Sequence, residues 1–216
     1  MTDATFQVGS RVTVVSGPTA VGKGTVVGHL LEKHPEVWLS ISATTRAPRP
    51  GEVDGQHYHF VSNAEFDRLL DSDGLLEWAL VHGTDRYGTP RAPVEAALAA
   101  GHCVLLEIEL QGARQVRRTM PDAQFVFIAP PSWDELVRRL EYRGTETASQ
   151  RERRLLTARA EMAAKAEFDH ILVNDDVDRA VAELISLLGL CPPAQVQARE
   201  QAAPDARVVD ENLPST

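Results

Sequence analysis

Residues 16–25 read SGPTAVGKGT, with Gly17, Gly22 and Lys23 at the G-x-x-x-x-G-K spacing of a loop that wraps phosphate. Glycines let successive backbone N–H groups turn toward one anion with no Cβ in the way. A helix following the loop adds the positive end of its dipole. A lysine ammonium placed there reaches between the outer phosphates of a nucleoside triphosphate. Gly17, Pro18, Thr19, Ala20, Val21, Gly22, Lys23, Gly24 and Thr25 are therefore the candidate triphosphate-binding residues. Gly24 departs from the pattern, which has a magnesium-coordinating hydroxyl at that place. Thr25 offers the hydroxyl one residue late, and water and phosphate oxygens can fill the rest of a magnesium shell.

Other residues suit anion chemistry. Arg46 and Arg49 sit three apart in a proline-stiffened loop, where two guanidiniums could hold one dianionic phosphate. Tyr58 and Tyr87 offer hydroxyl donors to the same group. Residues 138–159 hold seven arginines, including Arg138, Arg139, Arg143 and Arg154. They read either as a solvated helix face laced with Glu135, Glu141 and Glu152 or as a local phosphate clamp. His57 and His59 share a strand face without an evident third ligand, so no metal site is expected of them. Cys103, Trp78 and Trp133 read as packing residues.

These groups need a scaffold, and the pattern supplies one. The run 11–17 reads as a buried strand and 21–34 as a helix, the context a phosphate loop requires. Residues 38–45 and 56–62 are strand-like around a loop at 46–55. Ser62 and Glu65 have capping-box spacing, opening a helix that stops at Gly74. Residues 75–83 read as a strand with 84–89 as its turn, and Pro93 opens a helix that Gly101 ends. The apolar 103–109 reads as a central parallel strand, followed by a helix at 112–120 and a strand at 123–129. Ser132 and Glu135 repeat the capping spacing for a helix to about Tyr142; then come a polar loop at 143–150 and a long helix to about Phe168. A strand at 170–174 and a helix at 176–189 close the pattern, and the Pro-, Ala- and Gln-rich 191–216 reads as disordered.

The totals set bounds. With 216 residues, 43% of them hydrophobic, the chain can bury a sizeable core. A net charge of −9 argues against broad electrostatic binding to nucleic acid. No apolar run has the ~20 residues of a membrane helix. The N-terminus has no secretion-signal pattern, and Cys103 and Cys191 form no Cys-x-x-Cys pair, so no membrane partner and a cytoplasmic location are expected.

The stretch SISATTRAPRPGEVDGQHYHF (40–60) closely resembles the S-x-T-T-R-x-P-R-x-G-E-x-x-G-x-x-Y signature of guanylate kinases. LLEWA (75–79), RYGT (86–89), LQGA (110–113), VFIAPPSWDEL (126–136), RGTET (143–147) and VND (173–175) agree with that family, and the resemblance runs from about 11 to 189. The GKGT ending is similar to that of adenylate kinases, so Gly24 is compatible with phosphotransfer.

The resemblance implies an α/β fold: a P-loop three-layer core with a parallel sheet, a β-rich GMP-binding insert and a small helical lid. The implied division is a discontinuous core of 1–38, 91–137 and 159–190, a GMP-binding subdomain at 39–90 and a lid at 138–158, with 191–216 as the tail. The implied reaction is ATP-dependent phosphorylation of GMP, and of dGMP, with Mg2+ as cofactor and ATP and GMP as partners. The resemblance puts Ser42, Arg46, Arg49, Tyr58, Glu77, Tyr87 and Thr89 around GMP, and Asn174 near adenine. Arg139, Arg143 and Arg154 match lid arginines, which join Lys23 and Arg46 as the catalytic set. One Glu77 carboxylate can accept from guanine N1–H and its exocyclic amine together. The family's D-x-D is Glu107-Ile108-Glu109 here, which puts Glu109 on the purine side and Glu107 with Thr25 by the metal. The turn HGTDRYGT is one residue longer than the family's, with Arg86 in place of a tyrosine. Two rival readings are an inactive guanylate-kinase-like protein-binding module and a related kinase acting on a ribose bisphosphate.

Overall fold

The computed structural model describes residues 12–81, 84–141 and 148–190. Arg143, Cys191 and the 191–216 tail lie outside the described residues. A five-stranded parallel sheet carries the molecule, in the order β2 (Val37–Leu39), β7 (Cys103–Glu107), β1 (Val12–Ser16), β8 (Gln124–Ala129), β9 (His170–Val173). Its central strands are apolar on both faces because helices cover both. Val15, Leu105, Val126 and Ile128 pack on one side with α1 (Lys23–Lys33), α5 (Trp133–Glu141) and α7 (Val177–Leu187). Val12, Val14, Leu106 and Phe125 pack on the other with α3 (Arg91–Ala99) and α4 (Leu110–Thr119). The result is the three-layer α/β architecture expected.

A second sheet has the order β4 (His59–Phe60), β3 (Ala43–Thr44), β6 (Asp85–Pro90), β5 (Leu75–Val81). It packs on α2 (Asn63–Asp71) around Phe66, and α2 opens with the full Ser62–Glu65 capping box. The long helix α6 (Ala148–Ala163) ends earlier than expected, in a 3-10 turn at Ala164–Glu167. Among the described residues no helix is long and apolar enough to cross a membrane.

Three local expectations need correction. The strand-like run 38–45 is two strands: after Ser40 donates its backbone N–H to Leu105, the chain leaves the core sheet, and β3 joins the second sheet. The 56–62 run pairs with β3 only at β4; Tyr58 bridges Asp54 instead, and the Asp54 carboxylate takes the Phe60 N–H. Residues 84–89 are not just a turn: β6 pairs antiparallel with β5 and with β3. Trp78 is 37% exposed, a consequence of β5 lying at the sheet edge.

Candidate active site

The phosphate loop joins β1 to α1. Gly17 has φ 152° and passes so close to the Ile128 carbonyl on β8 that a Cβ would collide with it. Gly22 takes φ 94°, and a Cβ there would meet the Asn174 amide at 2.6 Å. Both positions require glycine. Lys23 Nζ donates to the Gly17 carbonyl at 2.6 Å and to Pro18 at 3.4 Å, folding the ammonium over the loop. The loop is braced from outside. Asn174, 3% exposed, donates from Nδ2 to the Val21 carbonyl at 2.8 Å. Arg139 Nη1 donates to Val21 and Nη2 to the Asn174 carbonyl, while Nε is held by Glu135. Asn174 and Arg139 thus meet the flank of the loop rather than its mouth.

The acceptor side is built on the second sheet. Arg46 Nε donates to the Tyr87 hydroxyl at 2.8 Å, and its guanidinium forks onto both Glu52 oxygens at 2.9 and 3.0 Å. Nη1 also reaches the Ala47 carbonyl. Among the described residues four of its five N–H donors find partners, and the remaining one on Nη2 can turn to a ligand. This fork pushes the Arg46 pKa up and holds Glu52 down to about 2. Tyr58 and Phe60 face the same guanidinium, 5.4 and 5.8 Å from their ring centres, and burial raises the Tyr58 pKa. Arg49 is exposed, and its backbone N–H donates to Glu52. Glu52 stands at a fixed place of the 40–60 signature, but its role as the partner of Arg46 appears only in the structure.

Arg86 faces away from this site. Its guanidinium lies over Phe66 and bonds Asp67 and Asn63. The longer turn therefore leaves Tyr87 on Arg46.

Glu77 is 5% exposed, and its Oε1 accepts from the Thr89 hydroxyl at 2.7 Å. Burial is the largest cause that lifts its pKa, to about 7; Thr89 opposes the shift and Glu109 adds to it. Ser42, Arg46, Arg49, Tyr58, Glu77, Tyr87, Glu107 and Glu109 line one cavity of about 250 Å³ together with Lys23. Thr89 stands behind Glu77. The loop lysine and the arginine pair therefore open into a shared space.

A larger cavity, about 910 Å³, lies between α6 and β5 and includes Thr19, Arg49, Glu109, Arg154 and Glu161. Glu161 is the residue that sequence reasoning missed. It is 6% exposed, and burial lifts its pKa to about 7 against the pull of Lys23, with the Thr19 N–H also favouring the charged form. Its buried position on α6 ties that helix to the phosphate loop. Glu161→Ala is expected to raise the KM for the triphosphate about tenfold, the scale of one charge-assisted hydrogen bond. The KM for the acceptor should hold steady; steady-state kinetics with an equal rise in both would mark a general folding defect instead.

A magnesium ion fits the donors present. A Cβ built on Gly24 would lie 3.8 Å from Glu107 Oε1, so the Glu107 carboxylate faces the place where the loop's hydroxyl usually stands. Burial raises the Glu107 pKa and Lys23 lowers it. Among the described residues no group of three or more His, Cys, Asp or Glu could hold a metal. One carboxylate and one hydroxyl, completed by phosphate and water, suit Mg2+, which keeps several waters.

Residues 9–189 match the family model for guanylate kinase. The chain is 62% identical over 179 residues to "Guanylate kinase" of Cutibacterium acnes, covering 83% of this chain and 90% of that one. It is 61% identical to the Thermobifida fusca protein of the same description, over 82% of this chain and 90% of that one. A crystal structure of guanylate kinase from Anaplasma phagocytophilum superposes with a TM-score of 0.65 at 31% identity, covering 91% of this chain and 88% of the other.

Proposed function

The chain belongs to the guanylate kinase family and transfers a phosphoryl group from ATP to GMP, and we propose how its residues divide that work. The acceptor phosphate is already an anion, so no strong general base is needed; positioning and charge neutralisation carry the catalysis. The loop from Gly17 to Thr25 binds the triphosphate through backbone N–H groups, and Lys23 leaves the Gly17 carbonyl for the outer phosphates. Arg46 and Arg49, with Tyr58 and Tyr87, hold the GMP phosphate; Glu52 keeps Arg46 aimed. Ser42, Glu77, Thr89 and Glu109 take the guanine end. Arg143 and Arg154 neutralise charge from the lid side, Arg139 joins them by leaving its bonds to Val21 and Asn174 at the loop flank, and Asn174 keeps the loop shaped beside adenine. Glu107 and Thr25, with water, would hold Mg2+, which would supply charge neutralisation on the phosphate oxygens. The division into core, GMP-binding subdomain at 39–90 and lid at 138–158 belongs to this proposal, as do use of dGMP and a cytoplasmic location.

The observation supporting it most directly is the shared cavity, with Lys23 at one side and the Glu77 carboxylate at another. The test is ADP release from Mg·ATP with GMP, dGMP, AMP and a ribose bisphosphate offered in parallel. Turnover with GMP and dGMP, and little with the others, is expected. Equal turnover with AMP would overturn the role of Glu77, and preference for the bisphosphate would move the acceptor assignment altogether.

A further inference from the structure

Gly112 lies in the first turn of α4, and nothing about its backbone calls for glycine. It is not among the residues with positive φ. Glycine in a helix interior is destabilising relative to alanine. A buried helical glycine usually marks a close approach of another backbone. Here the three nearest atoms to a built Cβ all belong to one side chain: Glu77 Oε2, in collision, Glu77 Cδ at 2.8 Å and Glu77 Cγ at 3.3 Å. The Glu77 side chain, carboxylate foremost, occupies the space where a methyl would stand.

One turn along the same helix, Gln115 acts on the same strand. β5 is a sheet edge, so the Trp78 N–H and C=O turn away from β6. The Gln115 amide satisfies both: Oε1 accepts from the Trp78 N–H at 3.2 Å, and Nε2 donates to the Trp78 carbonyl at 2.6 Å. Helix α4 thus fixes the backbone next to Glu77 with one residue and makes room for its carboxylate with another. Thr89 closes the third side by donating to Oε1.

We propose that Gly112 is a positioning residue for base selection: it sets the depth at which the Glu77 carboxylate sits, with Gln115 pinning the strand that carries it. The inference rests on the reading of Glu77 as the guanine contact. A Cβ at 112 drives the carboxylate off its seat against α4 and out of line with two adjacent guanine donors. The nearest atoms to this position all belong to Glu77.

The test is Gly112→Ala, alone and in a Glu77→Ala background, with binding of GMP, inosine monophosphate and ATP measured by calorimetry. The single variant should melt no lower than the parent, because alanine favours the helix and an outward Glu77 regains water. GMP should bind on the order of 10- to 100-fold more weakly, since a charge-assisted pair is misaligned. Inosine monophosphate lacks the 2-amino group and should lose less, so the gap between the two nucleotides narrows. ATP affinity should not change. In the Glu77→Ala background, Gly112→Ala should cost nothing further. Unchanged GMP affinity, an equal loss in the Glu77→Ala background, or a large drop in melting temperature would each overturn the inference. If Glu77→Ala itself bound GMP as the parent does, the guanine-contact reading would fall, a result separate from the behaviour of Gly112.

Discussion

Glu77→Gln will make the nucleotide-free protein more stable at pH 8 while removing most of its preference for GMP. The carboxyl is 5% exposed and its pKa lies near 7, against an ordinary 4.5. The folded state therefore binds this proton more tightly than the unfolded chain does. Stability falls as pH rises from about 4.5 through 7, and above pH 7 the full penalty is in force. Each tenfold difference in proton affinity between the two states is worth about 1.4 kcal/mol, which puts the penalty on the order of 3 kcal/mol as an upper bound. Glutamine keeps an oxygen for the Thr89 hydroxyl and carries no charge to desolvate. Its melting temperature at pH 8 should rise by up to roughly 6–12 °C, at about 2–4 °C per kcal/mol for a chain of this size. The gap should close as pH falls toward 5; a parent and variant that melt in parallel across that range would refute the buried-charge account.

The same substitution should lower kcat/KM for GMP by roughly 10²- to 10⁴-fold, the loss of two hydrogen bonds to a charged acceptor. AMP presents an acceptor at N1, which a glutamine N–H can meet, so AMP should not lose in step. The trade of stability for recognition is the general pattern when a charge is buried for function.

What the sequence shows of this site depends on how locally each part is determined. The phosphate loop is legible because its chemistry is backbone chemistry, and Gly17 and Gly22 declare where a Cβ is intolerable. The central strands β7, β1 and β8 are legible because a sheet covered on both faces needs apolar runs. β6 is not, because DRYGTP is a polar, glycine-containing string whose strand form comes from pairing with β5 and β3. Glu161 looks like any carboxylate on a polar helix until α6 is laid against the loop. Asn174 is legible by position, but its contact with Val21 spans 153 residues, and only the fold supplies it. Arg46 declares itself by type and spacing. Its holder, Glu52, and the edge-strand clamp from Gln115 exist only once side chains are placed.

The second large effect is on turnover. Lys23→Ala should reduce kcat by about 10²- to 10³-fold or more, the range for losing one group that stabilises developing charge. GMP affinity should change little, because Arg46 and Glu77 are positioned from the second sheet without help from Lys23. Stability should also change little. Among the described residues Lys23 donates to the Gly17 and Pro18 carbonyls at a partly open loop, where water can replace it. The substitution does remove the cation that draws down the Glu107 and Glu161 pKa values, so both should titrate higher in the variant. Raising the pH re-ionises these carboxylates but does not replace the missing cation, so it should recover little of the lost rate. Single-turnover measurement with GMP in excess separates the step from product release. An unchanged rate there would sink the assignment of Lys23 to the donor phosphates, whereas a slow step with intact GMP binding would place the loss in phosphoryl transfer itself.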